Sequence, residues 1–337
     1  MLSFLIRRTG QALLVISVMM VLVFFGVNII GDPIWMLISP DMDQEAIEAT
    51  AASLGLDKPI WEQFWYFLKG VAKGDLGHSF VHGEPAIALI LSRMPATMEL
   101  ALVALLMAIV IGLPLGLYAG LKPEHPASRS IMAGSILGFS LPSFWVGLML
   151  MMVFAVMLGW LPATGRGLAQ DFWGIETSLL SSAGWAFIAL PAFNLATTKI
   201  SLVIRLTRAG VREVALMDYV KFARAKGLKP SRIIGVHILK NILIPVVTVL
   251  GLEFGSLVAF SVVTETIFAW PGMGKLLLES IQRLDRPVIV AYIMVVVVLF
   301  VVVNLVVDVL YSLLERKYSK SVKAFTYLSL AIFFKIR

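Results

Sequence analysis

The chain has 337 residues, of which 59% are hydrophobic and only 15% are charged, and its formal net charge is +7. A water-soluble domain carries roughly a quarter charged residues, so this composition excludes a soluble globule and indicates a membrane protein. The chain has no cysteine, which excludes disulfides, thiolate chemistry and cysteine-based metal sites.

The first predicted element is a membrane span from Gly10 to Ile30, preceded by Arg7 and Arg8. Its 21 uncharged residues match the roughly 20 that cross the hydrocarbon core. A secretory signal peptide has a shorter apolar region followed by a small-residue cleavage site. We therefore predict an uncleaved first helix whose N-terminus lies in the cytosol.

Residues 32–94 have nine acidic and four basic residues, which predicts an extracytoplasmic segment because positively charged loops are retained inside. Helical spacing occurs at Asp43–Leu54 and at Pro59–Val71, and the second stretch is rich in aromatic residues. These aromatics can lie at the lipid headgroups or form the core of a small external subdomain. We favour the subdomain core.

The next three spans are predicted at Leu100–Leu121, within Ser130–Gly165, and from Thr177 to about Ile204. The first has glycine at every fourth position (Gly112, Gly116 and Gly120), which favours close packing against another helix. The second is too long for one perpendicular span, so we expect a kink at Ser140-Leu-Pro-Ser143.

The last two spans are predicted at Asn241–Thr264 and Pro287–Val307, so the protein is an all-α membrane protein with six transmembrane helices. The segments assigned to the cytosol contain 19 of the 28 Lys and Arg residues, and those assigned outside contain eight. This excess predicts that both termini are cytosolic, an N-in, C-in orientation. The resulting division is 1–31 (N-terminal cytosolic segment and first helix), 32–94 (extracytoplasmic), 95–314 (five-helix core with a cytosolic coupling loop at 205–241) and 315–337 (cytosolic tail).

The tail contains an apolar stretch, 324–334, which is too short to span the membrane, and we expect it to lie along the surface or to be disordered.

The largest basic cluster lies between Asp218 and Pro245. Asp218 is expected to cap a short helix that runs through Lys226, with Gly227 as its left-handed terminator and Pro230 beginning a second helix. The sequence contains no phosphate-binding loop, Ser/His/Asp arrangement or metal-ligand cluster, so the protein is not expected to be an enzyme. We expect the basic loop to receive energy from a separate protein.

The motif Ala223-Arg-Ala-Lys-Gly227, followed by His237, Asn241 and Pro245, resembles the cytoplasmic loop of binding-protein-dependent ABC importer permeases, in particular the dipeptide, oligopeptide and nickel branch. The resemblance covers nearly the whole chain. Its further motifs are Gly31-Asp-Pro33, Leu54-Gly-Leu-Asp-Lys-Pro59, Gly74-Asp-Leu-Gly77, Arg93-Met-Pro-Ala-Thr97, Gly159-Trp-Leu-Pro162, Glu265-Thr-Ile-Phe-Ala-Trp-Pro-Gly272 and Asn304-Leu-Val-Val-Asp308.

This resemblance implies a type I ABC importer permease fold in the bacterial inner membrane. It implies a second homologous permease subunit, two ATPase subunits that hold ATP and Mg, an extracytoplasmic solute-binding protein, the lipid bilayer as surroundings, no nucleic acid and no cofactor on this chain. The cargo stays open among dipeptide, oligopeptide, opine-like conjugate, sugar and metal chelate. The implied ATPase-coupling residues are Ala223, Arg224, Ala225, Lys226, Gly227, Pro230, His237, Asn241 and Pro245.

Two departures from the family pattern affect this assignment. Lys221-Phe-Ala223 stands where the wider superfamily has acid–Ala–Ala, and Glu315-Arg-Lys-Tyr318 stands where an Asp-Pro pair is usual.

Four charged residues lie within or beside the predicted spans: Lys199, Glu253, Glu265 and Asp308. We expect Glu265 and Asp308 to bond locally near the interfaces, whereas Lys199 and Glu253 are candidates for the translocation pathway. A proton-coupled secondary transporter that uses these charges as a relay is the alternative function. A membrane scaffold or sensor is a further alternative, which would require a soluble signalling domain.

Overall fold

The computed structural model describes residues 2–29, 42–53 and 55–309, and this part of the chain is mostly helical. The tail at 315–337 and the Gly31-Asp-Pro33 motif lie outside the described residues. The helices are α1 (Leu2–Ile29), α2 (Gln44–Ser53), α3 (Ile60–Ala72), α4 (Ala86–Leu121), α5 (Pro126–Ser140), α6 (Ser143–Met157), α7 (Ser182–Val214), α8 (Asp218–Ala225), α9 (Pro230–Ala259), α10 (Ser261–Ile267), α11 (Met273–Gln282) and α12 (Arg286–Val309). A two-stranded antiparallel hairpin joins β1 (Gln170–Phe172) to β2 (Ile175–Thr177).

Five helices in the described part of the chain are long and apolar enough to cross a membrane, namely α1, α4, α7, α9 and α12. The pair α5 and α6 makes a sixth if it counts as one broken span, which agrees with the predicted number. The two helices meet at an angle of 108° at the predicted break, so the bend is much sharper than a kink. Pro142 explains it, because a residue before proline disfavours the helical conformation.

Several span boundaries differ from the prediction. Helix α4 begins at Ala86 rather than Leu100 and has 36 residues. The chain from Thr177 to Ser181 is not helical; it ends the hairpin, and α7 continues as far as Val214. Both helices continue through charged or polar residues, beyond the uncharged stretches that hydropathy detects.

The described chain forms two compact units. The first comprises residues up to 107, 140–197 and 256–300. Its largest buried side chains include Trp270, Phe268, Ile90, Leu100 and Met273. Burial of such aromatic and aliphatic groups supplies most of the free energy of packing.

In this first unit, the exposure of helix α3 contradicts the prediction that its aromatic residues form the core of a subdomain. None of its residues is buried, and Trp61, Trp65 and Tyr66 are 71%, 58% and 56% exposed. Phe64 and Phe67 instead pack on rings at the end of α1. The helix is therefore amphipathic, with an exposed aromatic face, and its tryptophans do not form the core of a subdomain.

The second unit comprises residues 108–139, 198–255 and the chain from 301. In it the predicted glycine stripe of α4 packs against α7. A Cβ placed on Gly112, Gly116 or Gly120 would lie 2.6–2.8 Å from atoms of α7, nearer than real Cβ atoms approach one another. The close packing predicted from the four-residue spacing is confirmed.

Candidate functional site

The basic segment, here named the α8–α9 loop, consists of helix α8, a tight turn and the beginning of helix α9. Gly227 ends the first with φ +73°, a left-handed conformation that glycine adopts without strain, as predicted. Pro230 begins α9, also as predicted. The expected capping role of Asp218 is wrong, because Met217 occupies the cap position and no side chain caps the helix. The Asp218 carboxylate lies in the first turn and accepts a hydrogen bond from Lys221 Nζ at 3.0 Å.

A small apolar core holds this loop in place. Val220 and Ala223 of α8 are buried and pack with residues of α7 and α9. The partners are Val211, Ile233, Ile238 and Ile242. Ala223 therefore fills the core of the loop, which needs a small side chain at that point.

The opposite face of the loop is exposed. Arg224, Ala225, Lys226, Gly227 and Pro230 all belong to it. Phe222 is also 61% exposed, and Lys226 Nζ lies 4.6 Å from the centre of its ring. The structure thus brings five of the predicted coupling residues together on one exposed surface that carries an aromatic ring and two cationic groups.

The other predicted coupling residues lie along α9. Asn241 donates hydrogen bonds from Nδ2 to the Tyr219 hydroxyl at 2.7 Å and to the His237 carbonyl at 2.6 Å. The first of these bonds ties α9 to α8. Pro245 lies inside α9 and cannot donate to the carbonyl four residues earlier, and residues 233–239 form π-helical turns. The structure thus places Asn241 at the contact between α8 and α9.

Lys199 and Glu253, the two candidate pathway residues, form an ion pair that joins α7 to α9. Their side chains are 18% and 30% exposed, and both belong to membrane-spanning helices. A charge at membrane depth is costly unless it is paired or faces water. Pairing therefore stabilises both charges within this unit.

The expectation that Glu265 bonds only locally is wrong, because its carboxylate links α10 to Thr97 of α4, 168 residues away in the chain. Glu265 is fully buried, and its carboxylate accepts hydrogen bonds from the hydroxyls of Thr97 (2.7 Å) and Ser261 (2.8 Å) and from the Lys275 backbone N–H (2.9 Å). Burial raises the pKa of Glu265 above its ordinary value, and these hydrogen bonds oppose the rise.

The contacts of Glu265 explain why two of the quoted motifs occur together. Thr97 and Ala96 belong to the first motif, and Glu265 and Trp270 to the second. Trp270 donates from its indole nitrogen to the Ala96 carbonyl at 2.9 Å, and Thr97 also accepts from the Met273 N–H at 2.8 Å. A Cβ on Gly272 would collide with the Glu265 carboxylate, so glycine is required there.

A buried ion pair that sequence reasoning missed lies in the same unit. Arg166 Nη2 is 2.6 Å from Glu99 Oε2, and the two side chains are 9% and 5% exposed. Arg166 also donates to the Glu176 carbonyl at 2.6 Å, and Glu99 accepts from the Ser178 N–H at 2.9 Å. The pair therefore anchors the β-hairpin to α4. Its members are 67 residues apart, and a lone charge at each position carries no local signal.

The described residues contain no group of three or more His, Asp or Glu side chains placed to hold a metal ion.

Comparison with known proteins gives matches along almost the entire chain. The family described as binding-protein-dependent transport system inner membrane component matches residues 112–320, and the N-terminal family of such membrane components matches residues 1–101. The DppB permease of a di/tripeptide transport system in Pseudomonas aeruginosa is 42% identical, over 93% of this chain and 97% of that protein.

Two further similarities were found. The GsiC permease of a glutathione transport system in Escherichia coli is 36% identical, over 93% of this chain and 97% of that protein. A solved structure of the MetNI methionine ABC transporter in inward-facing conformations aligns with 68% of this chain and 95% of that chain, with a TM-score of 0.49 and 17% identity.

Proposed function

This chain belongs to the family of binding-protein-dependent inner-membrane transport components, in its peptide-importing branch, and we propose that it forms half of a heteromeric channel whose α8–α9 loop receives the force of ATP hydrolysis. It is a multi-pass permease of the inner membrane. Membership implies ATPase partners that use ATP and a solute-binding protein. We further propose that the assembled transporter contains a second homologous permease and two ATPase subunits.

The observation that carries the proposal is the exposed face of the loop. Phe222, Lys226 and Gly227 lie on a surface whose other side is fixed by the buried Val220 and Ala223. Because this protruding turn is packed against α7 and α9, a force applied to the turn is transmitted to those two helices. A flexible loop would absorb the same displacement. Such a device is suited to bias a two-state switch between outward and inward openings.

The proposed cargo is a short peptide. The curated relatives named above belong to systems for di- and tripeptides and for glutathione, which is itself a tripeptide. The identity with the di/tripeptide permease extends over nearly all of both chains. We propose that a binding protein delivers the peptide to an external face formed by residues 42–94 and 266–286, and that Lys199 and Glu253 lie on its path.

The proposed orientation places both termini and the α8–α9 loop in the cytosol. It is supported by the excess of Lys and Arg in residues 205–240. No finding supports the alternative of a proton-coupled secondary transporter. The Lys199–Glu253 pair that such a relay would use is already accounted for as an ion pair.

Replacing Gly227 with valine tests the coupling assignment. A Cβ at this position would meet no atom of the chain within 4 Å, so the substitution disturbs the turn and its exposed face rather than the core. We expect binding of the ATPase subunits and ATP-driven dipeptide uptake in proteoliposomes to fall about tenfold or more, the effect of losing about 1.4 kcal/mol of contact.

Gly83 provides the matched control. It has φ +70° and equally open surroundings, but it lies in a different turn. Gly83→Val should therefore bear the same backbone strain and still bind the ATPase subunits as the unsubstituted chain does. Unimpaired ATPase binding and uptake by Gly227→Val would refute the coupling role of the loop.

A further inference from the structure

Helix α3 has more apolar surface than α1 covers. Its Phe64 and Phe67 rings form the face that packs on α1, with their centres 5.1 and 5.4 Å from that of the Phe24 ring. Beside that face, four further apolar residues recur at intervals of three or four, which places them along one side of the helix. They are here named the tryptophan edge: Trp61, Trp65, Leu68 and Ala72. Three of them are exposed and Leu68 is half-buried, so the apolar surface of α3 extends beyond its contact with α1.

The remaining side of α3 is polar. It carries Glu62, Tyr66 and Lys69, which are all exposed, and Lys69 Nζ lies 5.4 Å from the centre of the Trp65 ring. Glu62 belongs to the first turn of the helix and Lys69 to the last. If either end of α3 dipped into the hydrocarbon, a charge would be buried there, which is costly. A helix with this pattern lies along a membrane surface, with its apolar side in lipid and its polar side in water.

The contact with α1 fixes the level at which α3 lies. The candidate span in α1, Ile6–Ile29, has 24 residues and is about 36 Å long, against a hydrocarbon core of roughly 30 Å. Phe24 and Phe25, on which α3 packs, belong to the last two turns of that span. Helix α3 therefore crosses α1 close to the boundary between the hydrocarbon and the headgroups.

The lipid-facing surface of α1 continues onto the tryptophan edge. Large apolar side chains are exposed along one stripe of α1 at intervals of three or four residues: Val18, Leu22, Phe25 and Ile29. On a membrane-spanning helix such a stripe faces lipid. The Phe25 ring lies 5.3 Å from the Phe64 ring of α3, which adjoins the tryptophan edge. Lipid that covers the stripe on α1 is thus within reach of the edge.

We propose that the tryptophan edge lies in the headgroup layer of the bilayer that α1 spans, and that it anchors α3 flat against the membrane. Tryptophan is suited to this layer, because its ring is apolar and its N–H can donate a hydrogen bond to lipid or water. The partner is a bilayer with neutral or anionic headgroups alike, since none of the four residues of the edge is charged. Anchors of this kind set the tilt of a neighbouring span, here α1.

Spin labelling of the full chain in phosphatidylcholine nanodiscs tests the proposal. The chain contains no cysteine, so a nitroxide on one introduced cysteine reports a single position. Its collisions with oxygen, which dissolves in lipid, and with a water-soluble nickel chelate are measured by electron paramagnetic resonance. We expect the label on Ala72→Cys to collide mainly with oxygen, at a depth of about 5–10 Å in the lipid.

Tyr66→Cys, on the polar side of the same helix, is the matched control. Because a helix with its side chains is about 10 Å thick, this label should collide mainly with the nickel chelate. Replacing Trp61 and Trp65 with serine in the Ala72→Cys chain tests the anchors themselves and leaves the labelled site in place. Both tryptophans are exposed, so the core stays intact, and we expect the preference for oxygen at Ala72→Cys to be lost. Addition of phosphatidylglycerol should leave the depth unchanged.

Four outcomes would overturn the proposal. Collisions mainly with nickel at both Ala72→Cys and Tyr66→Cys would place the edge in water. Protection of Ala72→Cys from both reagents would show that protein, such as a second copy of this chain, covers the edge. A preference for oxygen that survives the loss of both tryptophans would show that they are not the anchors. A preference that appears only with phosphatidylglycerol would show that charge, rather than the apolar edge, holds the helix on the membrane.

Discussion

Glu265 shows how one buried carboxylate can hold together segments that are far apart in the chain. Its three hydrogen-bond donors come from Thr97, Ser261 and Lys275. A buried donor that loses its acceptor costs about 1–3 kcal/mol. Much of the stability of the first unit should therefore depend on this one side chain.

We expect Glu265→Ala to lower the melting temperature of the detergent-purified protein strongly, because it leaves these donors without an acceptor and opens a cavity. Glu265→Gln should cost less, since the amide oxygen retains part of the network. Glu279→Gln, on the half-exposed Glu279, is the control and should melt like the unsubstituted protein. A Glu265→Ala variant that melts at the same temperature would contradict this role.

The difference in melting temperature between the unsubstituted protein and Glu265→Gln should change with pH in a definite direction. Burial raises the pKa of Glu265 above 4.5, so the folded state holds its proton more tightly than the unfolded state does. The stability linked to that proton is present below the unfolded pKa and is lost as the pH rises through the folded pKa. Glu265→Gln has no such proton, so its deficit in melting temperature should narrow as the pH rises. A deficit that widens would contradict the raised pKa.

The Lys199–Glu253 pair permits a residue-scale test of the pathway proposal. Breaking a paired charge at membrane depth is more harmful than removing both charges. We expect Lys199→Gln and Glu253→Gln each to lower dipeptide uptake, and the double variant to recover part of it. If the pair also lines the pathway, the double variant should change the relative KM for acidic and basic dipeptides. Unchanged rate and selectivity of Glu253→Gln would remove this residue from the pathway.

At the scale of helices, the close approach of α4 to α7 depends on the absence of side chains along one stripe. A Cβ on Gly116 would lie 2.7 Å from the Ile204 carbonyl oxygen, a backbone atom that has little room to move. Gly116→Ala should therefore destabilise the protein by about 1–3 kcal/mol through overpacking.

Gly134→Ala is the control for this substitution, because a Cβ there meets nothing within 4 Å. In a helix, alanine is intrinsically better than glycine by about 1 kcal/mol, so this variant should melt at the same or a higher temperature. Thermal unfolding in detergent measures both. A Gly116→Ala variant as stable as Gly134→Ala would mean that the two helices separate at no cost.

The elements that could be predicted from the sequence are those with a local signal. Uncharged runs gave the spans, the spacing of Gly112, Gly116 and Gly120 gave the packed face of α4, and Gly227 and Pro230 gave the turn of the basic loop. The cap at Asp218 was wrong because a helix start one residue earlier or later leaves the same local pattern.

Long-range contacts had no such signal. Glu99 and Arg166 meet across 67 residues, and neither position differs locally from an ordinary exposed charge. The exposed face of α3 was also misjudged, since the spacing of its aromatics predicts an apolar face without saying whether protein or lipid covers it. Only the burial of each side chain in the fold decides between the two.

At the scale of the whole molecule, the absence of cysteine makes the N-in, C-in orientation directly testable. Lys229 lies on the exposed α8–α9 loop, and Trp173, at the tip of the β-hairpin, is 93% exposed. In the proposed orientation these positions face opposite compartments. A single cysteine at either position would be the only thiol in the chain, so labelling reports that position alone.

We expect a membrane-impermeant maleimide added to intact cells to label Trp173→Cys and not Lys229→Cys, with the chain expressed without its ATPase partners. Inverted membrane vesicles should show the reverse. This pattern follows from the excess of Lys and Arg on the segments assigned to the cytosol, because cationic loops resist translocation. Labelling of Lys229→Cys in intact cells would place the loop outside, where no ATPase could reach it, and the coupling proposal would fall with the orientation.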